Sequence, residues 1–487
     1  MAVDMTRLFA PRSLALVGAS NSFMKWGFIV LANILSGGYK GKIYPVNPRG
    51  GKILGLDVYK DLRSIPDEID VVVVTTPAAG VPGAARQCAA KKVPFMITIT
   101  AGFSESGDEG KRLEREVAEI VRGSGVRMVG PNTMGIVGTG ARLCALMPPV
   151  KPQPGAISFV AQSGNIGSQL LGLGQVMGVG FHNFVASGNE GDLRVEDYIE
   201  FFGEDEKTRV IMAYIEGVDD GRRFLDVVRR ITPRKPVIVF KAGQTRSGAR
   251  AAVSHTGALA GSRDIYDAAF RQAGVIKVSA TDEMLDLARA FAYLPLPKGN
   301  RVGIVTWGGG WGVVTADACE DAGLNVVPLP TDVIAKIDSV LPPYWSRGNP
   351  VDLVGTLNRE AHRVALELIV GCPSIDGIIA LGIFGAATFF SELVANASNL
   401  SENVPPELVQ TYMKEIRRED EKFESTVVTL MDRYNKPIVG ATVIRNPQAE
   451  RDVPRQVLVF STPEKAARAL WRLYEYQRYR ESVHRET

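Results

Sequence analysis

His255 stands in Ala252-Val253-Ser254-His255-Thr256-Gly257-Ala258, one of four histidines in 487 residues, the others being His182, His362 and His484. Metal sites cluster their ligands, whereas His255 is alone among small residues, so a loop imidazole that meets a reactant fits better than a metal ligand. Imidazole is largely uncharged at neutral pH and is nucleophilic there. A polar surface histidine is the plain alternative. Lys241, Arg246 and Arg250 precede it and add local positive charge. Glu216 follows the apolar run Val210–Ile215. A carboxylate at a strand end can accept the proton of one imidazole nitrogen, leave the other free to attack and stabilise the positive charge that follows. A solvated glutamate is the alternative there.

Other residues suit anions. The first strand runs into Val17-Gly18-Ala19-Ser20-Asn21, a strand–glycine–helix opening where backbone can approach a phosphate. A GxGxxG pattern is absent, and the second strand ends in Pro45-Val46-Asn47-Pro48-Arg49 without an acidic residue for an NAD ribose. Another adenine nucleotide cofactor is therefore favoured over a nicotinamide dinucleotide. Thr75-Thr76-Pro77, Thr100-Ala101-Gly102 and Gly130-Pro131-Asn132-Thr133 follow further strands, and ligands of open parallel sheets bind beyond such ends. Together they suggest a crevice for an elongated ligand; singly, each is an ordinary turn. Ser163-Gly164-Asn165 and Ser187-Gly188-Asn189-Glu190-Gly191-Asp192 each lead into a helix. Either start can receive an anion, or simply be capped by Ser163 and by Asn189 or Asp192.

The elements that must position these residues are α/β in type. Apolar runs at Leu14–Val17, Lys42–Val46, Asp70–Thr75, Phe95–Ile99 and Arg127–Val129 read as buried parallel strands, separated by helical patterns such as Val81–Lys91 and Asp108–Arg122. Pro148–Gly155 reads as a linker. A second α/β segment has strands at Ala156–Val160, Phe181–Val185, Val210–Ile215 and Pro236–Lys241. A third opens with Arg301–Thr306 and the turn Trp307-Gly308-Gly309-Gly310-Trp311, whose tryptophans are expected to pack in a core. Within it, the charged stretch Pro406–Tyr434 reads as a solvated helix, and Glu464–Arg480 as a terminal one. At about 150 residues per domain the length suggests about three.

Composition narrows the classes. A net charge of +3 with scattered basic residues argues against nucleic acid. Cys88, Cys144, Cys319 and Cys372 form no CxxC pair, which fits a reducing compartment and buried thiols. The N-terminus lacks an apolar signal core and no run reaches the ~18 apolar residues of a membrane span. A cytoplasmic protein without metal or membrane attachment is expected.

The ordered series Phe9-Ala10-Pro11-Arg12-Ser13, Val17-Gly18-Ala19-Ser20, Tyr44-Pro45-Val46-Asn47-Pro48, Gly130-Pro131-Asn132, Ser163-Gly164-Asn165, Ser187-Gly188-Asn189-Glu190 and Ser254-His255-Thr256-Gly257 resembles the α subunits of NDP-forming acyl-CoA synthetases. The resemblance implies three consecutive doubly wound domains: a Rossmann-like CoA-binding domain over 1–147 and flavodoxin-like domains over 155–294 and 300–487. It implies that His255 carries a phosphoryl group between two sites, that Glu216 steadies it, and that Ser163 and Gly164 cradle phosphate on the CoA side, with Asn189 and Glu190 at the second anion-binding start. Gly18, Ser20, Pro45, Asn47, Thr76 and Ala101 then fall on the loops that hold coenzyme A, and Asn132 near its thioester end. The implied reaction is acyl-CoA + ADP + phosphate ⇌ acid + CoA + ATP. No stretch of this chain is left for an ATP-grasp domain, so a separate β subunit is expected to hold ADP/ATP and Mg²⁺, in an α₂β₂ assembly. A CoA-binding regulatory or scaffold protein of the same fold is the alternative. Thr133, beside the implied acyl site, departs from the family's smaller residues.

Overall fold

A computed structural model describes residues 3–248, 250, 263–384, 396, 405–442 and 457–486. The expectation for His255 falls outside them. The chain divides into two compact units, Met1–Ala288 and Arg289–Thr487.

Among the described residues the first unit holds two large sheets, besides a two-stranded antiparallel pair at Lys52–Ile53 and Leu56–Asp57. Strands β1 (Ser13–Val17), β2 (Lys42–Val46), β3 (Val71–Val74), β4 (Phe95–Thr98) and β5 (Arg127–Val129) form a parallel sheet in the order β2-β1-β3-β4-β5. Val71 to Val74 show why such a segment is a central strand: four β-branched side chains in succession, all fully buried, match a strand covered on both faces. Helices α1 (Trp26–Gly37), α2 (Val81–Lys91) and α3 (Asp108–Ser124) connect the strands. Gly38 and Gly125 end α1 and α3 in the left-handed conformation that glycine adopts without steric cost.

The second sheet begins earlier than the sequence suggests. Strands β6 (Gly135–Gly138) and β7 (Leu143–Leu146) form an antiparallel hairpin, and β6 pairs antiparallel with β9 (Gly180–Ala186). With β8 (Gln153–Ala161), β10 (Val210–Ile215), β11 (Val237–Lys241) and β12 (Ile276–Val278), the order is β12-β11-β10-β8-β9-β6-β7. The proline-rich stretch expected as a linker thus joins two strands of one sheet, and β8 already starts at Gln153. The two sheets share a core: Leu16 and Val73 belong to one buried cluster with Val160, Ile211 and Phe202. Phe9 packs against Phe201 and Phe202 at ring-centroid distances of 5.8 and 5.6 Å.

The second unit holds strands β13 (Arg301–Thr306), β14 (Asn325–Val326), β15 (Val351–Asp352), β16 (Gly377–Leu381), β17 (Ile438–Ala441) and β18 (Leu458–Phe460). Its path is β14-β13-β16-β17-β18, with β15 pairing the end of β13. Pro406–Tyr434 is a 29-residue helix, as its charge pattern suggests, but it is not solvated throughout. Phe423, Val427, Leu430 and Met431 are buried, and Phe423 meets Phe384 at 5.6 Å. These apolar residues recur at helical spacing in its C-terminal half, a stripe outnumbered but not cancelled by the charges. Of the two tryptophans, Trp307 is half-buried with its indole N–H donating to the Thr356 carbonyl at 2.9 Å, whereas Trp311 is 44% exposed and does not fill a core.

Counted within itself, and setting aside the hairpin and β15, each of the three larger sheets has the order 2-1-3-4-5. This places a topological switch between its first and third strands, where a ligand crevice opens beyond the carboxyl ends. The four cysteines are buried and unpaired. Among the described residues no helix is long and apolar enough to cross a membrane.

Candidate functional site

The switch of the first sheet opens into a cleft of about 1120 Å³. Gly18, Ser20, Asn47, Thr76, Ala101, Asn132, Ser163, Gly164 and Asn189 all line it. Residues read from two sheets therefore face one cavity. Pro45 is buried inside β2 and, like Glu190 and Glu216, is not part of the lining.

Local chemistry explains the cleft's shape. Gly18 has φ +93°, and a Cβ there would lie 2.7 Å from the Thr75 hydroxyl, so glycine is required at the turn. A Cβ on Gly27 would lie 2.0 Å from the Gly18 carbonyl oxygen, so α1 starts in direct contact with that turn. Asn47 donates through Nδ2 to the Ala19 carbonyl at 2.8 Å and accepts from the Arg49 amide at 2.9 Å, tying the exits of β1 and β2. The Thr76 hydroxyl, although its residue lines the cleft, has no partner among the described residues. Lys25, Arg49 and Lys60 also line the cleft. These cations lie on turns with no regular spacing, so no pattern in the sequence marks them as a set.

At the other end, Ser163 caps the helix α4 (Gly164–Val176), its Oγ accepting from the Ile166 amide at a long 3.5 Å. A Cβ on Gly164 would lie 2.6 Å from Met134, so the helix start sits tight against the exit of the first sheet. Thr133 is buried and structural: its hydroxyl donates to the Ala186 carbonyl and accepts from the Gly135 amide at 3.0 Å. Asn189 is committed to protein partners. Its Nδ2 faces Ser104, Glu105 and Glu114 at 3.0, 2.6 and 2.9 Å, and its Oδ1 accepts from Asn132 at 3.2 Å. Burial raises the Glu105 carboxyl, but hydrogen bonds from Asn189 and the Gly102 and Phe103 amides outweigh it and hold the group below its ordinary range.

Glu216 stands just past β10, at the switch of the second sheet, and is buried. Its amide donates to Gln162 Oε1 at 2.5 Å, and its carbonyl accepts from Lys241 Nζ at 2.7 Å. Burial depresses the Lys241 ammonium to about 8 against the opposing pull of the Glu216 charge. That ammonium lies 4.7 Å from the centre of the Tyr266 ring. Glu190 has φ +57° and accepts from Ser187 Oγ at 2.7 Å. The residue as a whole is only partly buried, but its carboxyl group is enclosed. Burial, reinforced by the neighbouring Glu196 carboxylate, pushes it up to about 8 despite the opposing pull of Ser187 and the Gln162 amide. At neutral pH Glu190 is therefore mostly an uncharged acid, and it is not among the residues that line the cleft.

Family comparison agrees with this geometry. Residues 12–139 match a CoA binding domain, 154–291 a succinyl-CoA ligase like flavodoxin domain and 302–417 a ligase-CoA domain. The acetate–CoA ligase [ADP-forming] I subunit alpha of Pyrococcus furiosus is 36% identical over 495 residues, covering 99% of this chain and 100% of the relative. The chain belongs to the α-subunit family of ADP-forming acyl-CoA synthetases. A second family member, the II subunit alpha from the same organism, is 42% identical over 77% of this chain and 81% of its own. Among solved structures of the synthetases, the dinucleotide-forming acetyl-coenzyme A synthetase 1 of Ca. Korarchaeum cryptofilum, in complex with phosphate and ADP, is 32% identical with a TM-score of 0.85 over 99% of both chains.

Proposed function

We propose that this α-subunit chain performs the CoA and phosphate half of acyl-CoA + ADP + phosphate ⇌ acid + CoA + ATP. The observation that carries the reading is the single cleft in which the loops of the first sheet and the helix start at Ser163 meet. Coenzyme A lies along it, its phosphates toward Lys25, Arg49 and Lys60 and its thioester toward Asn132 and Ser163. Phosphate at the α4 start attacks the thioester carbonyl, the C–S bond breaks and CoA leaves as thiolate, giving an acyl phosphate. The amides and dipole of a helix start stabilise such moving negative charge without reorganising.

An imidazole nitrogen of His255 then attacks phosphorus, and the P–O bond to the acyl group breaks to release the carboxylate. Glu216 accepts the N–H of the other ring nitrogen and stabilises the cation formed. Phosphohistidine passes its group to ADP on a separate ATP-grasp subunit that holds Mg²⁺, within an α₂β₂ assembly. The cytoplasm, where thiols stay reduced, suits the four unpaired cysteines.

Intact mass of the chain after incubation with acetyl-CoA and phosphate tests the relay. One acid-labile phosphate is expected, lost in His255→Ala. Absence of the gain with acetyl-CoA and with longer thioesters, even after a β subunit is added, refutes it in favour of a CoA-binding scaffold. The chain alone should show no ATPase activity.

A further inference from the structure

Gln162 follows β8 and Glu216 follows β10, so the two face each other across the switch of the second sheet. The Gln162 amide is held at both its oxygen and its nitrogen. Its Oε1 accepts from the Glu216 and Gly217 amides at 2.5 and 3.0 Å. Its Nε2 donates to the Gly217 carbonyl at 2.8 Å, and its remaining N–H is on the side of the Glu190 carboxyl. A side-chain amide offers two acceptor directions and two N–H donors, and backbone groups of Glu216 and Gly217 take three of the four. The orientation follows: turning the amide over would set its NH₂ against two N–H groups and its oxygen against a carbonyl. Gln162 also lines the cleft and immediately precedes Ser163. Glu190, enclosed on a left-handed backbone and anchored by Ser187, is the ionisable neighbour of the remaining N–H.

We propose that Gln162 and Glu190 are positioning residues for Glu216, registering its carboxylate through the Gln162 amide and so setting the rate at which His255 takes up phosphate. This rests on the reading of Glu216 as the partner of the phosphohistidine. Neither residue need touch a reacting atom. Without the amide, two buried N–H groups lose their acceptor and the strand end relaxes, and small displacements of a charge-stabilising group cost large factors in rate.

The test follows phosphate incorporation into the full chain from acetyl-CoA and inorganic phosphate, by intact mass against time. Glu190→Ala is expected to slow incorporation by about tenfold or more while the acetyl-CoA concentration for half-maximal rate stays within about twofold. Glu190→Gln, an uncharged side chain of the same shape, should restore the rate to within about threefold of wild type. Gln162→Glu keeps its size but sets an acceptor against the Gly217 carbonyl and Glu190, and should lose about tenfold or more. Rates of Glu190→Ala and Gln162→Glu within about twofold of a phosphorylated wild type overturn the proposal and leave the relay standing. Equal losses in Glu190→Ala and Glu190→Gln overturn it too. A wild type that takes up no phosphate overturns the relay itself, and this proposal with it.

Discussion

Glutamine at position 190 should stabilise the chain, and by more as pH rises. The Glu190 carboxyl titrates near 4.5 in the unfolded chain and near 8 in the fold, because it is enclosed beside Glu196. Below the lower value both states are protonated, and glutamine gains nothing electrostatically. Between the two values the unfolded chain releases a proton that the fold must retain, so each pH unit costs the wild type about 1.4 kcal/mol. At pH 7 the cost reaches about 3 kcal/mol, an upper bound because the turn is only partly buried. Above about pH 8 the fold ionises as well and the loss stops growing. Glutamine carries no charge at any of these pH values and tolerates φ +57° about as well as glutamate does. Melting curves of wild type and Glu190→Gln from about pH 5 to about pH 9 should diverge by several degrees, the gap widening through neutrality and levelling above it. A constant gap across this range would refute the account of an enclosed, neutral acid.

Two further outcomes follow from the cleft. Gly27→Ala places a Cβ 2.0 Å from the Gly18 carbonyl oxygen and must push α1 away from the turn; a loss of about 1–3 kcal/mol in stability, with weaker CoA binding, is expected by denaturation and calorimetry. Arg49→Ala and Lys60→Ala should each weaken CoA binding roughly two- to fivefold, more at low salt, because screened ion contacts with the CoA phosphates are lost; unchanged affinity at low salt would remove both residues from the site.

The alternating strands and helices were legible in the sequence because each depends on neighbours in the chain. Val71 to Val74 announce a covered strand by composition alone, and Gly18 announces a turn that no side chain permits. The strand-end position of Glu216 was likewise visible in the sequence. The Gly135–Leu146 hairpin was not: its strands are four residues each, and β9, the partner of the first of them, lies some forty residues on. The buried half of Pro406–Tyr434 was masked by charges on its other faces, since composition averages over faces that packing separates. Pro45 has the right neighbours in sequence but is buried within β2 and does not line the cleft. Gln162 reads as an unremarkable polar residue until Glu216, 54 positions later, is brought across the switch to meet its amide. Residue type and local pattern therefore determined which groups can do chemistry, while hydrogen-bond partnership and burial, which depend on segments distant in sequence, were decided only by the tertiary structure.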